Sequence, residues 1–527
     1  MSTVRNNEIR MKHPLLTSLL LLPAILLAGC EFGPDYAVPT VSVPEKFKEN
    51  YGKWQVAQPD DQIDRGHWWG IYNDPVLDNL EKQVDISNQN LKAAEAGWRQ
   101  ARAVVEEARS GLFPTVSTDA SKTRTGGGSV KGGPITTYDL NVGASWVPDL
   151  WGRIRRTIES DVASAQASAA DIALARLTAQ ADLAADYFTM RALDEQKYLL
   201  DLTVVDDRKA YTIVKNQYDS GVAAKADVLT AQTQVESVQA QAVNTGVQRA
   251  QLEHAIAVLI GKPPADLTII AAPLAKKIPA VPVALPSKLL ERRPDIAASE
   301  RQVAAANAQI GVAIAAYFPD LTLSASYGYT GMSLGNLISA PNSIWSFGPA
   351  LAETIFDAGL RDAQVEAARA TNEQTVANYR QTVLTGFQQV EDQLAALRIL
   401  EQQSKMEIRV VADARKAEEL ELNQYKAGTV PYNSVLTAQI ATLSNELTAL
   451  TVHENRFLAT VSLIEALGGG WSASELAAGG NPTKEPQAPE TAQKTDAAAT
   501  VAPPKTTDIA ADQSEPVAKV YNFGRTD

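Results

Sequence analysis

One cysteine, Cys30, stands in a chain of 527 residues, so an internal disulfide is impossible and a cysteine-based metal cage is excluded. Histidine is nearly as scarce, since His13, His67, His254 and His453 lie far apart without the spacing of metal ligands. The glycine-rich stretch Gly126-Gly127-Gly128-Ser129-Val130-Lys131 lacks the Gly-Lys-Ser/Thr ending of a phosphate cradle and reads as a hairpin tip. No catalytic constellation emerges, and the chain is expected to be a non-enzyme without cofactor or metal. A basic balance is also missing: the net charge is −13, and because the first 29 residues carry Arg5, Arg10 and Lys12 against Glu8, the remainder stands at −15. Phosphate binding needs clustered Lys and Arg, so nucleic acid is excluded as a partner. The longest apolar stretch, Leu15 to Ala28, has fourteen residues, too few for a helix that must cross about 30 Å of hydrocarbon.

That stretch follows the basic residues and reads as a removable signal segment, residues 1–29. Leu27-Ala28-Gly29 directly before Cys30 resembles a bacterial lipobox. The resemblance implies that Cys30 is acylated, so that buried acyl methylenes hold the protein on a membrane without a spanning helix. Glu31 stands where an aspartate would signal inner-membrane retention, which implies the outer membrane. At the other end, residues 472–527 turn to Ala, Pro, Thr, Lys and Glu in phrases such as TKEPQAPE. Such a segment buries too little apolar surface to offset its ordering entropy and is expected to be a disordered tail.

What the chain does have is an internal repeat. Tyr218 to Gln232 reads YDSGVAAKADVLTAQ, Tyr425 to Gln439 reads YKAGTVPYNSVLTAQ, and the offset of 207 residues still holds at Gly261 and Gly468. A period of about 200 residues is far beyond the 20 to 50 of stacked solenoids, so a whole domain-sized unit is duplicated. The expected division is an anchored segment 30–74, a first repeat 75–270, a linker 271–290 and a second repeat 291–471. Each repeat contains 68 residues, Arg153 to Ser220 and Leu360 to Ala427, with no proline and only Gly386 as a glycine. A continuous helix of that length reaches about 100 Å, against about 11 residues for an ordinary globular helix. Shorter helices are predicted over Pro75 to Ser110, Asp227 to Ile260, Asp295 to Ala316 and Ser434 to Leu467. Apolar or small residues recur in a 3-4 spacing that predicts coiled-coil-like seams. They are Leu174, Leu177, Ala181, Ala184 and Phe188; Val228, Ala231, Val235, Val238 and Ala242; and Leu436, Ile440, Leu443, Leu447 and Leu450.

Between the Phe-Pro breaks at Pro114 and Pro319 and the long helices, the period changes to two. Tyr138, Leu140, Val142, Ala144 and Trp146 alternate with polar residues, as do Leu321 to Tyr329 and Trp345 to Leu351, while Val116 and Ala120 mark a weaker strand over Thr115 to Arg124. Each half thus offers one hairpin, with tips at Gly126 to Pro134 and Gly331 to Asn342. Strands of this length suit an outer-membrane barrel, and aromatic Trp146, Tyr329 and Trp345 near strand ends fit its interface. Alternation of this kind also fits a small soluble sheet. Four strands cannot enclose a lumen, and an open edge in lipid leaves backbone groups unpaired, so in a membrane several chains must share one barrel.

Four phrases carry a resemblance to a known group: CEFGPDY from Cys30, Trp68-Trp69 before DPVL at Asp74, LERRPDI from Leu290, and EALGGGW from Glu465. Together they span Cys30 to Trp471, and the chain resembles the lipoprotein branch of the TolC-like outer-membrane factors of resistance-nodulation-division efflux systems. The resemblance implies a mainly α fold with a membrane β-barrel: a homotrimer with a shared twelve-stranded barrel and a long helical periplasmic tunnel. It implies an exit duct that passively conducts small molecules, partnered by a periplasmic adaptor and an inner-membrane pump. It places adaptor-docking tips at Gly221, Val222, Gly428 and Thr429, and a periplasmic aperture at Asp227, Tyr425, Ser434 and Thr437. Ser434 and Thr437 stand where the family often has aspartates, so the acidic ring is depleted, and Asp227 equally fits an acid favoured by a helix N-terminus. A duct for type I protein secretion shares this architecture. A periplasmic structural lipoprotein with a helical rod is the reading from another class.

Overall fold

The computed structural model describes residues 31–49, 67–127, 133–281 and 292–472. The signal segment, Cys30 and the tail beyond residue 472 lie outside the described residues, as does most of the hairpin tip and linker at 128–132 and 282–291. In chain order the first half contains α1 (Pro75–Ser87), α2 (Gln89–Ser110), β1 (Thr115–Thr125), β2 (Ile135–Trp146), α3 (Arg153–Asp219) and α4 (Lys225–Leu259). The second half contains α5 (Pro294–Ala315), β3 (Asp320–Gly331), β4 (Ser343–Ala352), α6 (Leu360–Lys426) and α7 (Tyr432–Ala466). Both long helices run for 67 residues, about 100 Å at 1.5 Å per residue.

These helices start alike. Gly152 and Gly359 precede them with φ of +79° and +86°, a left-handed entry that a side chain would strain. An aspartate then satisfies the free amides of each first turn. Asp149 accepts from Ile154 N at 3.1 Å and Arg155 N at 2.9 Å, and Asp357 accepts from Gly359 N at 3.1 Å and Arg361 N at 3.4 Å.

The stretch 75–110 is not the one helix expected but two, joined at Asn88. Asn88 Oδ1 accepts from Leu91 N at 2.9 Å, starting α2, while its Nδ2 donates to Leu259 O at 2.8 Å. Ser87 Oγ donates to Ile260 O at 2.5 Å. The break therefore supplies donors to carbonyls left open at the end of α4, a tertiary requirement invisible to helix propensity. The second half builds the same joint with other residues. Arg293 Nη1 donates to Ala466 O at 2.9 Å at the end of α7, and Arg293 also grips Asp295 in the first turn of α5. At each joint a glycine with positive φ passes against a carbonyl. A Cβ on Gly261 would lie 2.2 Å from Ser87 O, and one on Gly468 would lie 2.1 Å from Arg292 O.

Beside these joints sits the largest core cluster, built around Trp68, Trp69, Tyr187, Phe188, Phe387 and Phe457. The Tyr72 ring meets Phe188 at a tilt with centroids 4.7 Å apart, and Asp74 both caps α1 and accepts from Tyr187 Oη at 2.6 Å. Long α3 packs on α1, α2, α4, α5 and α7, while α6 packs on α5 and α7. The seam Ala231, Val235, Val238 and Ala242 on α4 is buried as expected. On α7 the seam is rotated from the expected one: Val435, Gln439, Thr442 and Leu443 are buried, Leu436, Leu447 and Leu450 are half-buried, and Ile440 is 50% exposed. Polar residues on the buried side, which pattern reading assigns to the surface, cause the difference.

The strands form one antiparallel sheet in the order β1-β2-β3-β4, and the β2–β3 pair joins the two halves. Register puts the apolar positions of all four strands in common rows: Val116, Ala144, Ala325 and Phe347 in one, and Thr118, Val142, Tyr327 and Trp345 in another. Residues directly opposite share a face, so one face is largely apolar, with Thr118, Lys122 and Arg124 of β1 as its polar members, and the other carries Asp139, Asn141, Ser324 and Ser326. The apolar face is bare, with Trp345 76% and Phe347 73% exposed. The outer edges of β1 and β4 have no partner strand among the described residues.

The joints give a direct contrast. Gly221 also has a positive φ, +77°, but a Cβ there meets nothing within 4 Å. Gly221→Ala should cost about 1 kcal/mol of backbone strain, whereas Gly468→Ala should cost about 3 kcal/mol or more because the clash with Arg292 O adds to the strain. Thermal unfolding of detergent-solubilised protein measures both, and equal losses would refute the joint.

Candidate periplasmic aperture

The two long helices end in matching turns. Gly221 N donates to Tyr218 O at 2.8 Å and Val222 N to Gln217 O at 2.8 Å; 207 residues later Gly428 N donates to Tyr425 O at 2.9 Å and Thr429 N to Gln424 O at 3.0 Å. This 6→1 and 5→2 pairing is a Schellman motif, which requires the left-handed conformation both glycines adopt. The tip residues are exposed, so the turns present backbone and short side chains with nothing covering them.

Just inside the tips lies a small apolar cluster of Ala210, Val214, Ala231, Tyr425, Tyr432 and Val435. Tyr425 Oη donates to Gln217 Oε1, which ties α6 to α3, and its ring meets Tyr432 edge-on at 5.5 Å. Burial, and then the charge of Asp227, push the Tyr425 phenol up, so Asp227 and Tyr425 are electrostatic neighbours within the chain. Burial pushes Tyr432 up to about 12. Asp227 occupies the first turn of α4, where its carboxylate accepts from Ala224 N at 3.4 Å. It is therefore a helix-terminal acid and a neighbour of the tyrosine at once.

Ser434 is half-buried in the first turn of α7, and Thr437 is exposed with its hydroxyl turned onto Asn433 O at 2.9 Å. Neither brings charge to the site. Gln217 and Tyr432 were not singled out from sequence. Tyr432 has Lys225 as its counterpart in the first repeat, and that departure from the repeat directly after Pro431 is the one signal that marks it. The repeat also diverges at its tyrosines: Tyr425 is 8% exposed, whereas Tyr218 is 41% exposed.

No cluster of three metal-ligating side chains occurs among the described residues, and no described helix is long and apolar enough to cross a membrane. The profile of the family described as outer membrane efflux protein matches residues 80–262 and 285–469, one span in each repeat. The chain belongs to that family. It is 30% identical over 466 residues to the antibiotic efflux pump outer membrane protein ArpC of Pseudomonas putida, covering 86% of this chain and 95% of the relative. It is 28% identical over 456 residues to the protein named probable outer membrane lipoprotein SilC of Salmonella typhimurium, covering 85% and 97%. Among solved structures, the outer-membrane channel OprN superposes with a TM-score of 0.77 at 28% identity, covering 84% of this chain and all of that one. The fold is accordingly TolC-like, with the sheet in the outer membrane and the helical body in the periplasm, and the protein is an outer-membrane efflux duct.

A hydroxyl that bridges α6 to α3 at the end of the duct should help to hold it narrow. Tyr425→Phe removes that bond, worth about 1 kcal/mol, and should raise single-channel conductance in planar bilayers. Tyr218→Phe, at the exposed counterpart, should leave conductance unchanged. Conductance equal to wild type in Tyr425→Phe would show that the bond does not hold the end closed.

Proposed function

We propose that three copies of this chain close one twelve-stranded barrel and serve as the exit duct of a tripartite pump. An inner-membrane resistance-nodulation-division transporter and a periplasmic adaptor complete that pump. The observation that carries this reading is the four-stranded sheet with one bare apolar face and two open edges. In hydrocarbon the edges of β1 and β4 have no partner other than the same edges of neighbouring copies. A structural lipoprotein with a soluble sheet leaves that apolar face without a purpose. A secretion duct differs only in its inner-membrane partner, and the similarity to efflux proteins favours the pump. The open tips at Gly221-Val222 and Gly428-Thr429 are the surfaces we assign to the adaptor.

Cys30 is proposed as the lipid-bearing residue. Its successor residues are held against the junction of sheet and helices: Phe32 stacks on Phe318 at 4.2 Å and lies 6.3 Å from the Trp151 ring, and buried Arg156 pairs with Glu31 at 3.4 Å and donates to Phe32 O at 3.2 Å. The residues that follow Cys30 are thus fixed to the folded body at the end of the sheet that meets the helices. Cys30→Ser should abolish incorporation of labelled fatty acid, and label retained by that variant would place the lipid elsewhere.

At the aperture, three copies of Asp227 beside Tyr425 would form a single ring of carboxylates, which attracts cations in a narrow passage. With Ser434 and Thr437 in the second half, the ring has no further acid from those positions. Asp227→Asn should lower the cation-to-anion permeability ratio of the reconstituted duct, while Glu195→Gln, midway along α3, should change it little. An unchanged ratio in Asp227→Asn would leave Asp227 as a helix-end residue only.

A further inference from the structure

Between two apolar layers of the lower helical body lies a layer of buried oxygen atoms. On one side are Leu200, Val204, Val235, Val238 and Leu443; on the other are Ala210, Val214, Ala231, Tyr425 and Val435. Asp207 on α3 lies between Val204 and Ala210 and is 1% exposed, with one carboxylate oxygen left without a hydrogen-bond partner. Tyr432 Oη and Gln439 Oε1 on α7 and Glu421 Oε2 on α6 are also buried and unpartnered.

The groups that act on Asp207 include no cation. On its own helix is Asp206; on α4, Gln234 bonds its carboxylate; on α6 is Glu418; and on α7, Tyr432 feels its charge. Glu418 is reached by the Thr442 hydroxyl, which also lies 3.0 Å from Ala438 O, and by the charge of Arg415. The Arg415 guanidinium is already engaged with Glu446 at 2.6 Å. Asp207 and Glu418 therefore bring like charges to the contact between the first-half pair α3–α4 and the second-half pair α6–α7. Buried acceptors of this kind are costly unless a proton is supplied.

We propose that this layer is a proton-operated clamp: a proton on Asp207 lets its carboxyl donate across the contact and holds the two helix pairs together, and its loss sets Asp207 against Glu418 and frees the pair that carries Tyr425. The inference rests on the reading of the chain as a gated duct and adds its regulation. The layer is well placed for this, because Gln217, the partner of Tyr425, lies ten residues along α3 from Asp207, about 15 Å. Burial, then the like charges of Glu418 and Asp206, raise Asp207 to about 6 against the bond from Gln234. Burial also raises Glu418. Because the folded carboxyl titrates above its unfolded value, the protonated clamp is intact at low pH and is lost as pH rises through that region.

The test is the full-length trimer in planar bilayers at about pH 5 and about pH 8, a range over which each unit changes the ionised-to-protonated ratio tenfold. The wild type is expected to show an open fraction several-fold higher at the upper pH. Asp207→Asn, which always donates, should stay at the low value at both. Glu418→Gln, which removes the opposing charge, should flatten the rise and serves as the second reading if Asp207→Asn does not assemble. The same rise in Asp207→Asn as in wild type overturns the proposal, and so does a shift of the wild type by chelator at constant pH, which would make the bridging species a metal cation. Channels absent from every variant, wild type included, would instead contradict the duct itself.

Discussion

Backbone amides and carbonyls at a strand edge must find partners, and in hydrocarbon no water supplies them. This requirement governs the rest of the molecule. The four strands of one chain satisfy each other internally and leave β1 and β4 open, so the sheet is complete only as a fraction of a ring. Once the strands are segments of a ring, the helices continuing from them are its staves. That is why each long helix runs for 67 residues and, away from the core beside the joints, packs through coil-like contacts of small residues.

Much of this was legible in sequence because the governing signals are local and repeated. The long helices were readable from the absence of proline and the near-absence of glycine, and the strands from a period of two that register turns into shared rows. The break at Asn88 was not legible. It exists because carbonyls from α4, some 170 residues away in sequence, take hydrogen bonds from Ser87 and Asn88, and nothing near Asn88 announces that demand. The seam of α7 was misplaced for a related reason: Gln439 and Thr442 are polar yet buried, and Ile440 is apolar yet exposed in the single chain. A reading by hydropathy inverts such a face. Near the tips, Asp227 and Tyr425 are neighbours within the chain, while Gln217 and Tyr432 beside them escape a sequence reading because their contacts depend on which helices meet.

The phrases that carried the family resemblance are joint hardware more than transport chemistry. Trp68, Trp69 and Asp74 fill and cap the core beside the first joint; Arg293 and Asp295 build the second; and Gly468 lets α7 end against Arg292. The aperture residues are plainer. A tyrosine, an aspartate and two hydroxyl side chains are common at helix ends, and their types alone single out no function.

The two joints also set a rule for how such a chain can change length. Each closing helix has 35 residues and ends where its joint pins it, and each long helix beside it has 67. One residue added to a long helix rotates everything beyond it by about 100°, which turns its seam away from neighbours that have not moved. A tolerated insertion must therefore be matched in the antiparallel neighbour and then again in the other repeat. Descendants of the duplicated ancestor inherit their reach as a shared trait, altered in all staves together or not at all.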